Sequence, residues 1–170
     1  QLQEEMQEVE ADITEEQLPE REKDFSLSVA GVGRFRVNIY KQRGSFSAVL
    51  RYVPFDLPDP AKLGIPVQVM QLSECKSGIV LITGVASSGK STTLSCILDR
   101  INQSRSGHII TIEDPIEFLH KHNRCIVSQR EINIDTDSYI DALRAALRQS
   151  PDVILLGEMR DYETISVAMT

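Results

Sequence analysis

Residues 78–104 read GIVLITGVASSGKSTTLSCILDRINQS, and within them Gly84-Val85-Ala86-Ser87-Ser88-Gly89-Lys90-Ser91 fits the pattern GxxxxGK[ST] at every fixed position. An apolar run, Ile79 to Ile82, precedes the turn and a helical pattern follows it, which is the setting a phosphate-binding turn requires. Glycines let the backbone fold with its N–H groups pointing inward, and the helix N-terminus adds a favourable dipole. In that setting Gly84, Ser87, Ser88, Gly89 and Thr92 belong to the cradle. Lys90 reaches the β- and γ-phosphates, and the Ser91 hydroxyl ligates Mg2+.

Working outward, apolar runs alternate with helical patterns: GIVLITG, KSTTLSCILDRINQS, HIITIED, SYIDALRAALRQS and DVILLGE. Strand, helix, strand, helix, strand predicts an α/β fold with a parallel sheet and flanking crossover helices. The helix over 138–149 has Ser138 as its N-cap, Asp141 in its first turn, and Ile140, Leu143 and Leu147 on one face. Ligands of such sheets sit beyond the carboxyl ends of the strands. Glu113, Asp114 and Glu158 follow two of those runs, so all three reach the edge where the phosphates would lie. One acid can hold the magnesium shell while another polarises an attacking water, and spacing leaves open which does which.

Upstream, Pro54, Pro58, Pro60 and Pro66 crowd residues 54–66, which read as a linker between an N-terminal part (1–53) and the nucleotide domain (67–170). In the N-terminal part Phe35, Val37 and Ile39 alternate with polar residues, Arg43-Gly44-Ser45 offers a turn, and SFSAVLRYV resumes the β pattern. With FSLSVA at 25–30 as a third strand and an acidic helix before it, this is a thin layer that needs a cover for its apolar face.

The net charge of −7 is uneven: residues 1–24 hold ten acidic groups against Arg21 and Lys23, and the remainder holds 16 basic and 15 acidic groups. A neutral body presents no broad footprint for nucleic acid, so none is expected as a partner. The longest apolar runs span four residues, against the ~20 of a membrane-crossing helix, so no direct membrane insertion is expected. Cys75, Cys96 and Cys125 form no CxxC pair, and His108, His120 and His122 lack metal-ligand spacing. A reducing, cytoplasmic setting is the expectation.

Taken together, GVASSGKST, TIEDPIEF and DVILLGEMRD resemble, in order and spacing, the Walker A, Asp box and Walker B segments of the secretion ATPases of type II secretion and type IV pili. GRFRVNIYKQRG and VSQREI resemble most the retraction branch, the PilT-like twitching motility proteins. The resemblance implies a RecA-like P-loop ATPase domain preceded by a partial, PAS-like α+β domain. It implies ATP and Mg2+ as ligands and a hexameric motor at the cytoplasmic face of the inner membrane, docked on the pilus platform protein and powering retraction. It implies further that Glu113 is the general base, that Glu158 joins Ser91 at the metal, and that Arg36 and Arg51, with Arg43 in reserve, reach the γ-phosphate. Family members usually carry GPTGSGKS, so Ala86 and Ser87 depart from the pattern, and the chain is expected to end before the family's His box. Two other classes share the cradle: a P-loop phosphotransferase, and a nucleotide-binding assembly module without turnover.

Overall fold

A computed structural model describes residues 22–29, 32–53 and 57–170. The chain divides into two compact units, Gln1–Phe55 and Asp56–Thr170. The acidic helix expected before the first strand lies outside the described residues.

The first unit is an antiparallel sheet in the order β1 (Glu22–Val29), β2 (Gly33–Gln42), β3 (Ser45–Val53). Alternation along β2 sorts its residues to two faces. Phe35, Val37 and Ile39 stand opposite Tyr52, Leu50 and Ala48 of β3 on one face, where Val37 and Ile39 are buried and Phe35 meets Tyr52 edge to face at 5.6 Å. Arg36 stands directly opposite Arg51 on the other face. The β2–β3 turn is made by Arg43 and Gly44, both at positive φ.

The second unit begins with residues packed onto its own core. The Cys96 thiol donates to the Pro58 carbonyl at 3.7 Å, and Ile65 and Leu72 pack against the buried cluster that holds Met70 and Cys96. A four-residue helix α1 (Val67–Met70) runs into a 3-10 turn at Gln71–Glu74. Then come α2 (Lys90–Ser104), β4 (Gly107–Glu113), β5 (Cys125–Glu131), α3 (Tyr139–Ala146), β6 (Val153–Leu156) and α4 (Tyr162–Ala168). The sheet is parallel in the order β5-β4-β6.

Both faces of this sheet are covered, which is why β4 reads as a nearly continuous apolar run. Ile109, Val127 and Leu155 meet Cys96, Ile97, Leu98 and Ile101 of α2 on one face. Ile110 and Ile112 meet Ala142, Leu143 and Ala146 of α3 on the other, with Val167 and Ala168 of α4 packed against them. Thr111 and Glu113 alternate with Ile110 and Ile112 and so share the α2 face.

Three expectations change. The run Ile79–Ile82, read as a strand, carries no ladder pairing among the described residues, and Ile79, Val80 and Leu81 are exposed. Strand character requires a partner for its N–H and C=O groups, and apolar composition alone supplies none. Cys125–Glu131, absent from the pattern reading, is a strand paired in register with β4. In α3 the buried stripe is Ala142, Leu143 and Ala146, while Leu147 lies beyond the helix and is half exposed.

Candidate nucleotide site

The turn over 84–89 leads directly into α2. Gly89 sits at φ +89 as the N-cap residue, a conformation open to glycine, and no side chain caps the helix or places an acid in its first turn. The first N–H groups of α2 therefore have no side-chain acceptor competing for an anion. Gly84, Ser87 and Ser88 of the turn and Ser91 of the helix are exposed, and Thr92 is half-buried behind them. Ser87 adopts φ +59, so it accepts the strain that glycine would avoid there. The Lys90 ammonium donates to the Val85 carbonyl at 2.7 Å, which folds the cation back over the loop.

Glu113 ends β4 and Glu158 follows β6, and the parallel register that pairs Ile112 with Leu156 brings the two strand ends side by side. Gly157 makes this approach possible, since a Cβ there would lie 3.3 Å from the Glu113 Cα and 3.2 Å from the Tyr139 hydroxyl oxygen. Its N–H donates to the Ile112 carbonyl at 2.8 Å. A cavity of about 230 Å³ opens between α2 and these strand ends, lined by Lys90, Ser91, Glu113, Asp114, Glu117, Tyr139, Gly157 and Glu158.

The two glutamates have opposite surroundings. Glu113 is buried, and its Oε1 accepts from the Thr111 hydroxyl at 2.7 Å and the Gln129 amide at 3.4 Å, while Oε2 accepts from the Glu117 N–H at 3.4 Å. Burial pushes its carboxyl above the usual range, and those three donors hold the rise back without cancelling it. Glu158 is more open and pairs with the Nε of exposed Arg160 at 2.9 Å. Asp161, the next residue, turns away to cap α4, accepting from the Thr164 N–H and hydroxyl, each at 2.7 Å.

β5 fastens the loop that follows Glu113. Gln129 donates to the Phe118 carbonyl at 2.9 Å and accepts from the His120 N–H at 2.8 Å, and Glu131 accepts from the Ile116 N–H at 3.3 Å. Burial drives His120 down to about 4, so this imidazole is neutral. His108 bridges the Gln149 carbonyl and the Ser128 hydroxyl, and His122 accepts from the Val127 N–H.

Of the residues expected at the cradle, Lys90 and Ser91 line one cavity with Glu113, Asp114 and Glu158 of the two strand ends, while Gly84, Ser87, Ser88, Gly89 and Thr92 do not line it. Arg36, Arg51 and Arg43 lie in the other unit. Thr111, Gln129 and Tyr139 join the site without a sequence signal having singled them out. Thr111 was within reach, two residues before Glu113 on the same strand face; Gln129 stands opposite Thr111 only through the β4–β5 register.

Residues 6–170 match the family described as Type II/IV secretion system protein. This chain belongs to that family. Among its curated relatives, the chain is 49% identical over 149 residues to the type IV pilus retraction ATPase PilT of Pseudomonas aeruginosa, covering 88% of this chain and 43% of that protein. It is 45% identical over 149 residues to a twitching motility protein of Neisseria gonorrhoeae, covering 88% of this chain and 40% of that protein. A solved structure of the pilus retraction motor PilT with bound ADP superposes with a TM-score of 0.87 at 51% identity, covering 96% of this chain and 49% of that one. The chain therefore spans less than half the length of these PilT and twitching motility relatives.

Proposed function

We propose that this chain binds ATP and carries the hydrolytic centre of a pilus-retraction motor. The observation that carries the reading is the convergence of the uncapped start of α2, with Lys90 and Ser91, on the same cavity as Glu113 and Glu158. The strong similarity to PilT supports retraction as the work performed.

In this reading the loop N–H groups and the α2 N-terminus bind the phosphates, and Lys90 leaves the Val85 carbonyl for the β- and γ-phosphates. Ser91 and Glu158 are the residues that would hold Mg2+, which when bound neutralises charge on the phosphate oxygens. Glu113 takes the proton of the water that attacks the γ-phosphorus, as ADP departs and inorganic phosphate forms. Its raised carboxyl suits it to that task, because a general base works best with a pKa moved towards the operating pH. Arg36 and Arg51, which stand opposite each other across β2 and β3, are the arginines that would supply positive charge to a γ-phosphate.

A hexamer docked on the pilus platform protein, at the cytoplasmic face of the inner membrane, is the assembly this motor would form. No helix among the described residues is long and apolar enough to cross a membrane. The decisive experiment is titration of a fluorescent ADP analogue with Mg2+. Lys90→Ala should weaken binding about ten- to a hundredfold, the worth of a hydrogen bond to a charged group. Equal affinity in wild type and variant would sink the assignment.

A further inference from the structure

Tyr139 opens α3, packed against the cluster that holds Ile110, Ile112 and Leu143, and it is also one of the residues lining the cavity shared by Lys90, Ser91, Glu113 and Glu158. A phenylalanine ring would fill the same apolar space, so the hydroxyl is chemistry added at the site's edge. That hydroxyl is buried and has no hydrogen-bond partner, in company with His120 Nδ1 alone among the described residues. Native proteins rarely leave a buried donor unpaired, and those they do leave call for an explanation.

The carboxylates around it supply one. Burial raises the Tyr139 phenol above its usual range, and Glu158, Asp114 and Glu113 add to the rise in that order, with Arg160 opposing. Geometry agrees: the hydroxyl oxygen lies 3.2 Å from where a Cβ on Gly157, the residue before Glu158, would stand. Glu158, the strongest of the three influences, is meanwhile held at 2.9 Å by Arg160, whose side chain is 81% exposed. Exposed ion pairs of this kind are weak, so Glu158 can exchange that partner for another at little cost.

We propose that the Tyr139 hydroxyl is a positioning donor for Glu158, drawing its carboxylate from Arg160 towards Ser91 when a nucleotide with its divalent cation occupies the cavity. The proposal rests on the nucleotide-site reading and adds to it a residue that tunes the grip on the cation. Its consequence is specific: losing the hydroxyl should weaken the cation's contribution to nucleotide binding and leave cation-free binding unchanged.

The test uses the chain and its Tyr139→Phe, Glu158→Gln and double variants, titrating Mg2+ into each in the presence of the fluorescent ADP analogue. Tyr139→Phe should raise the half-saturating Mg2+ concentration about three- to tenfold, the range of one net hydrogen bond, and should add nothing on the Glu158→Gln background. In wild-type protein labelled with 13Cζ-tyrosine, the Tyr139 resonance should move on adding Mg–ADP and move less in Glu158→Gln. A Tyr139→Phe variant within twofold of wild type overturns the proposal, as does an equal change on both backgrounds. A lowered melting temperature with an unchanged Mg2+ midpoint marks a purely structural tyrosine and overturns it too. If wild type binds the ADP analogue and Tyr139→Phe matches it, only this proposal fails. If wild type binds no better than Lys90→Ala, the nucleotide-site reading fails and takes this one with it.

Discussion

Replacing Glu113 by Gln should stabilise the chain at neutral pH, and the gain should disappear on acidification. Glu113 is 7% exposed, and the effective penalty for desolvating a carboxylate is several kcal/mol, of which a 2.7 Å bond from the Thr111 hydroxyl returns about 1.5–3. A residual penalty on the order of 1–2 kcal/mol follows. Burial raises the folded-state pKa above the unfolded value near 4.5, so the folded protein binds this proton more tightly than the unfolded one. Below that value both states are protonated and no penalty exists. As pH rises from there through the folded pKa, stability falls by about 1.4 kcal/mol per pH unit, and above it the loss is constant. Gln keeps the shape and the acceptor for Thr111 and cannot ionise; it forfeits the contact from the Glu117 N–H, which at 3.4 Å is long enough to matter little. Urea unfolding at pH 7.5 should therefore give a Gln variant more stable than its parent by about 1–2 kcal/mol, and the two curves should merge as pH falls below about 4.5. A Gln variant less stable than the parent at pH 7.5, or a difference unchanged between these pH values, would refute the claim that burial dominates at Glu113.

Leu143→Ala should cost about 2–5 kcal/mol in urea unfolding, because Leu143 is 1% exposed in the cluster joining α3 to Ile110 and Ile112; a loss under about 1 kcal/mol would mean the helix is not seated there. Ser87→Gly should stay within about 0.5 kcal/mol of the parent, since relief at φ +59 is offset by the greater chain entropy of glycine. Ser87→Val, β-branched at that φ, should lose about 1–2 kcal/mol, and a Val variant as stable as the parent would contradict the left-handed loop conformation.

Much of the site was legible because its signals are local. The cradle from Gly84 to Ser91 is a turn and the first residues of one helix, so its chemistry is written in consecutive residues. Ser138 caps α3 through a bond to the Asp141 N–H three residues away, and the β2–β3 hairpin follows from alternation and a two-residue turn. Glu113 and Glu158 could be placed at strand ends because each ends an apolar run.

What pattern could not decide depends on partners distant in the chain. CIVSQRE has too little apolar regularity to announce a strand, and becomes one because β4 offers its ladder in parallel register. Ile79 to Ile82 has the composition of a strand and no ladder among the described residues, because pairing requires a neighbour that composition does not contain. The order β5-β4-β6 decides that Gln129 stands by Thr111 and that Gly157 admits the Tyr139 hydroxyl beside Glu113. Residue type by itself set which groups could bind phosphate or take a proton. Only the tertiary structure decided that Glu113 is buried with its carboxyl raised while Glu158 stays open beside Arg160, because desolvation and hydrogen bonding act through space and not along the sequence.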